Sequence, residues 1–503
     1  MVGLLLNGMI HAFQPGNFIA IVCGSILGVL VGALPGIGPS AGAALLLPLT
    51  LTLTPTIALI LLCSLYVGCM FGGRITSILA NIPGDDASIA TCFDGYPMTL
   101  KGRAGPALGI TAISSYIGGL MGLIIVIFTA KQVARFGLYF GPAEYFALMA
   151  LALSATAILG GNNPAKGIAM TALGLLIAMV GLDFVSGKMR LTFGNIYLER
   201  GIDFLPVSVG MFALSELFKQ LEEGIRLSFH EGRFGLKDVM PTREDVAVTT
   251  LPIARGGLLG FIIGVLPGAG GTIASFMTYA MEKRLSKRSE EFGTGVPEGV
   301  ASVEAANNAA AFGAMVPLLT LGIPGSGTTA IMLGGLIMWG VRPGPLFITQ
   351  QADLFWSLIG ALFVANIVLL LLNTAFIPFF VRALKALSPY LEPLIAVLCM
   401  VGVFGLNNSI IDVWLMLGFG ILGYLLKKCD YPVGPVILAV VLGPLAEGSF
   451  RQALMMSRGS MAIFVASPLA KALMMGALLI WCSILFRPLI ARLKRSSTKV
   501  GAA

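Results

Sequence analysis

The sequence predicts an all-α polytopic membrane protein: two inverted-topology repeats with broken or re-entrant helical hairpins, and about 11 full spans besides the hairpins. Three observations predict it. Apolar residues make up 57% of the 503-residue chain and charged residues only 11%, where a soluble domain carries about a quarter. The first 73 residues hold no Asp, Glu, Lys or Arg, and 354–380 are uncharged as well. A short set of Pro-Gly landmarks recurs in one order in both halves.

So few charges cannot cover a water-exposed surface, so lipid must cover most of it. Backbone amides in lipid must pair within their own segment, which leaves helices or a closed barrel. A barrel would show short alternating strands, whereas this chain shows continuous apolar runs. The 64 glycines fit close helix approach in a membrane. The net charge of +8 resides in short inter-helix loops and is no nucleic-acid signal. Seven cysteines form no CxxC pair, and the two histidines, His11 and His230, suggest neither a metal site nor a base. The N-terminus lacks a basic leader region and reads as mature protein.

The repeat is the most informative feature. Leu34-Pro35-Gly36 returns as Leu266-Pro267-Gly268, and Ile82-Pro83-Gly84 as Ile323-Pro324-Gly325. Phe71-Gly72 and Phe312-Gly313 each stand 11 residues before the second motif. Arg103 matches Arg342, and Asn162-Asn163 matches Asn407-Asn408. The chain accordingly divides into a first membrane repeat (1–220), a linker (221–250), a second repeat (251–450), and an extra helix with a basic tail (451–503).

Spans are expected near 57–80, 105–130, 142–160, 164–182 and 203–218, with counterparts near 302–322, 354–380, 391–406, 410–426 and 432–446. Residues 256–282 have Arg255 at one end and Lys283-Arg284 at the other, with Pro267-Gly268 between. They read as a hairpin entering and leaving on one side, and 18–54 as its counterpart from the other side. Five crossings per repeat invert the second. With the charged linker in the cytoplasm, 22 of the 32 Lys and Arg residues fall on that side, as the positive-inside rule requires. The linker and C-terminus are therefore expected in the cytoplasm, and the protein in the bacterial inner membrane.

Inverted repeats with broken helices characterise secondary transporters. A helix interrupted at membrane depth leaves unpaired backbone groups, tolerable where they line a cavity or hold a ligand. Helix N-termini suit carboxylates, and unwound carbonyls suit sodium. Four segments fit: Pro35, Gly36, Gly38, Pro39 and Ser40; Pro83, Gly84, Asp85 and Ser88; Pro267, Gly268, Gly270, Gly271 and Thr272; Pro324, Gly325, Ser326, Gly327, Thr328 and Thr329. The competing reading is a set of kinks without ligand. Asn307 and Asn308 either bind substrate or an ion, or bond across helices. Glu304, one turn earlier, is open between a functional and an edge position. Asp85 and Asp86 either hold a cation or cap a helix. Arg74 pairs with a substrate carboxylate or with an acidic neighbour, and Met315 stands in its place in the second repeat. There is no Walker A sequence, HExxH or GxSxG, so no catalytic set and no cofactor is expected. The alternatives are a passive carboxylate channel and the membrane domain of another importer.

The run IPGDDASIATCFDGYPMTLKGRAGPALG from Ile82 to Gly109 resembles the signature of the large membrane subunit of the tripartite tricarboxylate transporter family. So do GALPGIGPSAGAALLLPLT, GVLPGAGGTIASFMTYAMEKRLSK and FGTGVPEGVASVEAANNAAAFGAMVPLLTLGIPGSGTTAIMLGGL. The match covers nearly the whole chain, in order. The Asp85-Asp86 pair is a departure, as that position is more variable in the family. The resemblance implies a permease working with a small four-helix membrane subunit and a periplasmic solute-binding protein. It implies uptake of citrate or another small carboxylate, driven by a sodium or proton gradient, with sodium at the hairpin tips as the only metal.

Overall fold

The computed structural model describes residues 2–34, 37–156, 163–183, 186–223, 236–266 and 270–482. Most of them are helical. Seven described helices are long and apolar enough to cross a bilayer: Pro15–Gly32, Pro55–Ala80, Ala104–Gly137, Arg243–Val265, Ala352–Leu372, Ile410–Lys428 and Gly434–Met456. Shorter apolar helices include Pro142–Ala155, Pro164–Ala178, Gly327–Met338 and Pro468–Cys482. Proline in the first turn starts several of them, among them Pro15–Gly32, Pro55–Ala80 and Pro297–Leu321. There its missing N–H is no loss and its fixed φ suits the helix.

Packing sorts the chain into two units. One comprises Met1–Gly137 and Asp203–Lys428, the other Leu138–Ile202 and Cys429–Ala503. The first unit holds all four Pro-Gly segments.

Inside the first unit two helix pairs are built alike. Pro15–Gly32 lies along Pro55–Ala80, and a Cβ added at Gly28 would sit 2.4 Å from the Leu65 carbonyl oxygen. Arg243–Val265 lies along Pro297–Leu321, where a Cβ at Gly260 would sit 2.3 Å from the Ala306 oxygen. Gly24, Gly28 and Gly32 stand at the same spacing as Gly256, Gly260 and Gly264. Such small-residue faces let two backbones touch where lipid gives no hydrophobic drive. Ala104–Gly137 packs on Pro297–Leu321 as well: a Cβ at Gly118 would meet the Ala305 oxygen at 2.3 Å.

A carboxylate ties the two halves of this unit. Asp94 Oδ1 accepts hydrogen bonds from the N–H groups of Gly293 (2.9 Å), Gly295 (2.8 Å) and Val296 (2.9 Å). Tyr279 donates to its Oδ2 at 2.9 Å. Those amides precede and open the Pro297–Leu321 helix, where positive partial charge favours an anion.

The second unit contains Pro142–Thr156, Pro164–Ala178 and Gly434–Met456. A two-residue hairpin pairs Gly181–Leu182 with Met189–Arg190. Arg451 pairs with Asp183 (3.0 Å) and Glu447 (2.7 Å), and Arg190 with Glu447 (2.9 Å). Phe146, Phe450 and Phe464 pack together, and Trp481 donates to Ser154 at 3.0 Å.

Most of the expected spans fall on helices, with differences: 354–380 is Ala352–Leu372 and the start of Ile377–Asn407, interrupted at 373–376, and residues 157–160 of the 142–160 span lie outside the described residues. The 203–218 segment is Phe204–Ser208, a π-helical stretch Val209–Leu214, and Ser215–Glu223. The 391–406 segment is the end of a 31-residue helix, Ile377–Asn407. Each segment read as a hairpin opens with a span-length helix and returns with a shorter one, Gly38–Leu46 or Gly270–Leu285. The sequence reading had no helix at Val2–Ala12.

Candidate functional site

The Pro55–Ala80 helix stops at Asn81, whose left-handed φ of 55° turns the chain away. Ile82-Pro83-Gly84 then passes so close to the neighbouring helix that a Cβ at Gly84 would lie 1.9 Å from the Gly32 oxygen. Asp85 is extended and forms a capping box with Ser88: Ser88 N donates to Asp85 Oδ1 (2.9 Å) and Asp85 N to Ser88 Oγ (3.1 Å). The next helix, Ile89–Leu100, starts from it.

The second half repeats this. Pro297–Leu321 ends at Gly322, with φ of 71°. Ile323-Pro324-Gly325 follows, and Ser326 forms a capping box with Thr329 that opens Gly327–Met338. A serine hydroxyl replaces the aspartate carboxylate as the cap, so the two caps share geometry but not charge.

Each cap faces the tip of its own half. Gly38 has φ of 56°, and a Cβ on it would be 3.7 Å from Asp85 Cβ. Gly270 has φ of 57°, and a Cβ on it would be 3.9 Å from Ser326 Cβ. Both glycines open helices from a left-handed conformation that a side chain would strain.

The halves meet at these points. Ser40 Oγ is 3.0 Å from Thr328 Oγ1. A Cβ at Gly271 would lie 3.4 Å from Ala87 Cβ and 2.5 Å from Asn307 Oδ1. Among the predicted residues, Gly38, Ser40, Gly84, Asp85, Ser88, Gly270, Gly271, Asn307, Gly325, Ser326, Gly327, Thr328 and Thr329 therefore share one neighbourhood. Pro39, Pro83, Thr272 and Pro324 stand within the same four segments. Pro35, Gly36, Pro267 and Gly268 lie outside the described residues.

Polar side chains line the wall behind. Asn307 is 1% exposed and Asn308 fully buried. Asn308 Nδ2 donates to the Glu304 carbonyl at 3.1 Å, whereas neither amide atom of Asn307 has a hydrogen-bond partner among the described residues. Glu304 is fully buried. It accepts from Thr91 (2.5 Å) and Ser115 (3.1 Å). Arg74, also fully buried, donates to the carbonyls of Phe71 (3.0 Å) and Leu108 (2.6 Å) and to Thr111 Oγ1. Its guanidinium is thus engaged by backbone carbonyls and a hydroxyl. Sequence reasoning missed Thr91 and Ser115, whose one signal was a hydroxyl within a helix, which many structural residues share.

The arrangement offers helix N-termini, hydroxyls, one carboxylate at a cap and a bare amide. Helix N-termini and hydroxyls are groups that suit an anion, and a carboxylate is one that suits a cation.

Residues 18–438 match the family described as the tripartite tricarboxylate transporter TctA family. A protein of Agrobacterium vitis named "Uncharacterized 52.8 kDa protein in TAR-I ttuC' 3'region" is 41% identical over 480 residues, covering 94% of this chain and 95% of its own length. A second from the same organism, "Uncharacterized protein in TAR-II ttuC' 3'region", is 43% identical over 215 residues, covering 43% of this chain and 89% of its own length. No solved structure matches.

Proposed function

Because this chain belongs to the tripartite tricarboxylate transporter TctA family, a family of multi-pass membrane proteins, we propose that it is the permease of a binding-protein-dependent secondary importer of small carboxylates. A sodium or proton gradient drives it. Its partners are a small four-helix membrane subunit and a periplasmic solute-binding protein. The chain sits in the bacterial inner membrane with its central linker and C-terminus in the cytoplasm, and its halves are inverted repeats.

The observation that carries this reading is the meeting of the four Pro-Gly segments. Ser40 touches Thr328, and Gly271 lies against Ala87. Two broken segments from each half thus converge on one place, as a transporter with one central site requires. The N-terminal amides of Gly38–Leu46, Gly270–Leu285 and Gly327–Met338 supply positive partial charge for a substrate carboxylate. Asp85 is the one acidic group at a cap here, and it suits the coupling cation. Transport then consists of moving this neighbourhood between the two membrane faces around bound substrate.

The test is uptake into proteoliposomes holding this chain and its small partner, with the binding protein outside. Labelled citrate and dicarboxylates are supplied with and without inward sodium or proton gradients. Accumulation that needs both the gradient and the binding protein is the expected result. Downhill flux that needs neither is a channel's behaviour and overturns the proposal.

A further inference from the structure

Glu304 is fully buried, about two turns into the Pro297–Leu321 helix. It differs from the other buried carboxylates of the described chain in what holds it. Five of those face an arginine or lysine, as Glu282 faces Arg255 and Glu216 faces Lys427. Asp94 takes three backbone N–H groups, and Asp412 the side-chain N–H of Asn407. Each thus has a partner that can only donate, which suits the ionised form alone. Glu304 accepts from two hydroxyls, Thr91 Oγ1 at 2.5 Å and Ser115 Oγ at 3.1 Å, and from nothing else among the described residues.

A hydroxyl can donate or accept. With Glu304 ionised, both hydroxyls donate to it. With Glu304 protonated, its own O–H donates to one of their oxygens, and the hydroxyl proton so displaced turns to the carbonyl one turn back. Thr111 and Ser114 already bond such carbonyls, at 2.8 and 2.7 Å. Either form therefore keeps its hydrogen bonds, and the two differ by one proton on a carboxylate oxygen. The titratable groups that act on Glu304 from its neighbours are Arg74 on Pro55–Ala80, Asp85 at the cap and Cys92 on Ile89–Leu100. Ala104–Gly137 faces it with Ser115. Arg255 of Arg243–Val265 and Glu282 of Gly270–Leu285 pair with each other. Arg74 does not pair with Glu304: its guanidinium bonds the Phe71 and Leu108 carbonyls and Thr111. It supplies compensating charge through space and leaves the carboxylate oxygens open to a proton.

We propose that Glu304 is a proton-binding site of the transport cycle, taking up a proton with substrate and giving it up after release on the other side. The inference rests on the transport reading above and adds a proton to the cation read at Asp85. Thr91 links the two places, because it stands in the first turn of the helix that the Asp85–Ser88 capping box starts. An ionisable group that faces the interior of a membrane bundle is where proton relays are built.

The test has two arms. Infrared difference spectra of the full-length protein in detergent, taken over a pH series, read carboxyl protonation directly. Wild type should show protonated-carboxyl bands that grow as pH falls. Glu304→Gln should remove one of them, and Glu304→Asp should displace it. The second arm uses proteoliposomes with the small partner, the binding protein outside and equal sodium on both sides. There an inward proton gradient should speed uptake of labelled citrate or dicarboxylate at least about fivefold in wild type. Glu304→Gln mimics the protonated form, so it should lose that acceleration yet still exchange labelled for unlabelled substrate. Glu304→Asp keeps a carboxyl and should retain part of the acceleration; it serves where Glu304→Gln fails to fold, as judged by size exclusion. Three outcomes overturn the proposal while leaving carboxylate transport intact. They are spectra that neither folded variant changes, a full response to the proton gradient in Glu304→Gln, and a folded Glu304→Gln that loses exchange along with uptake. A wild type that moves no substrate, while its spectra titrate through Glu304, overturns the transport reading instead and keeps the proton site.

Discussion

Ser40 Oγ lies 3.0 Å from Thr328 Oγ1 although 288 positions separate the two residues. Ser40 stands in the first turn of the helix leaving the first tip, and Thr328 in the first turn of the helix leaving the second Pro-Gly cap. The hydroxyl pair therefore joins the tip of one half to the cap of the other.

The paired glycine faces should tolerate no side chain. A Cβ at Gly260 would meet the Ala306 oxygen at 2.3 Å and its Cα at 2.5 Å, and backbone cannot yield as a side-chain end can. Gly260→Leu is expected to cost more than about 3 kcal/mol and to abolish recovery of monodisperse protein from detergent. Gly418→Ala is the control: nothing lies within 4 Å of its Cβ position, and the change should be neutral or stabilise slightly.

Asp94 should behave as a structural clasp. Its carboxylate holds three backbone N–H groups and the Tyr279 hydroxyl. Asp94→Ala strands those donors and should lower stability by about 2–4 kcal/mol, read as an earlier thermal midpoint. Asp94→Asn keeps one carbonyl acceptor and should fall between. Equal stability of wild type and Asp94→Ala would refute the clasp.

Arg74 should matter for folding and not for substrate affinity. Its guanidinium is spent on the Phe71 and Leu108 carbonyls and on Thr111. Arg74→Lys keeps a charge but loses the fork, so the yield of folded protein should drop. The fraction that folds should bind substrate with unchanged Kd. A tenfold weaker Kd in well-folded Arg74→Lys would place the guanidinium in the site.

Much of this was legible in the sequence, for a physical reason. Proline, glycine and a capping pair act locally, so Pro83-Gly84-Asp85 and Pro324-Gly325-Ser326 announce helix ends in any context. The glycine series 24, 28, 32 and 256, 260, 264 is legible too, at a constant offset. What the sequence could not say depends on distant packing. Arg74 reads as a partner for a substrate carboxylate or for an acidic neighbour until the Leu108 carbonyl and Thr111 are set beside it. Glu304 gives no sign in the sequence of the Thr91 and Ser115 hydroxyls that bond it. Asp94 gives no sign that its partners lie about 200 positions away.

The central claim is that tips from both halves form one moving transport site. The most direct measurement pairs Ser40→Cys with Thr328→Cys, in a background where Cys23, Cys92, Cys429 and Cys482, the thiols not fully buried, are replaced by serine. Oxygens 3.0 Å apart place the two sulfurs within reach of a disulfide. A protease site in the central linker reports the bond, since cleaved halves stay joined without reductant. Gradient-driven uptake is measured before oxidation, after it, and after reduction. The account predicts halves that stay joined, uptake that falls at least about tenfold as the site is locked, and recovery on reduction. Halves that separate despite a folded protein, or full uptake through the linked protein, would contradict it.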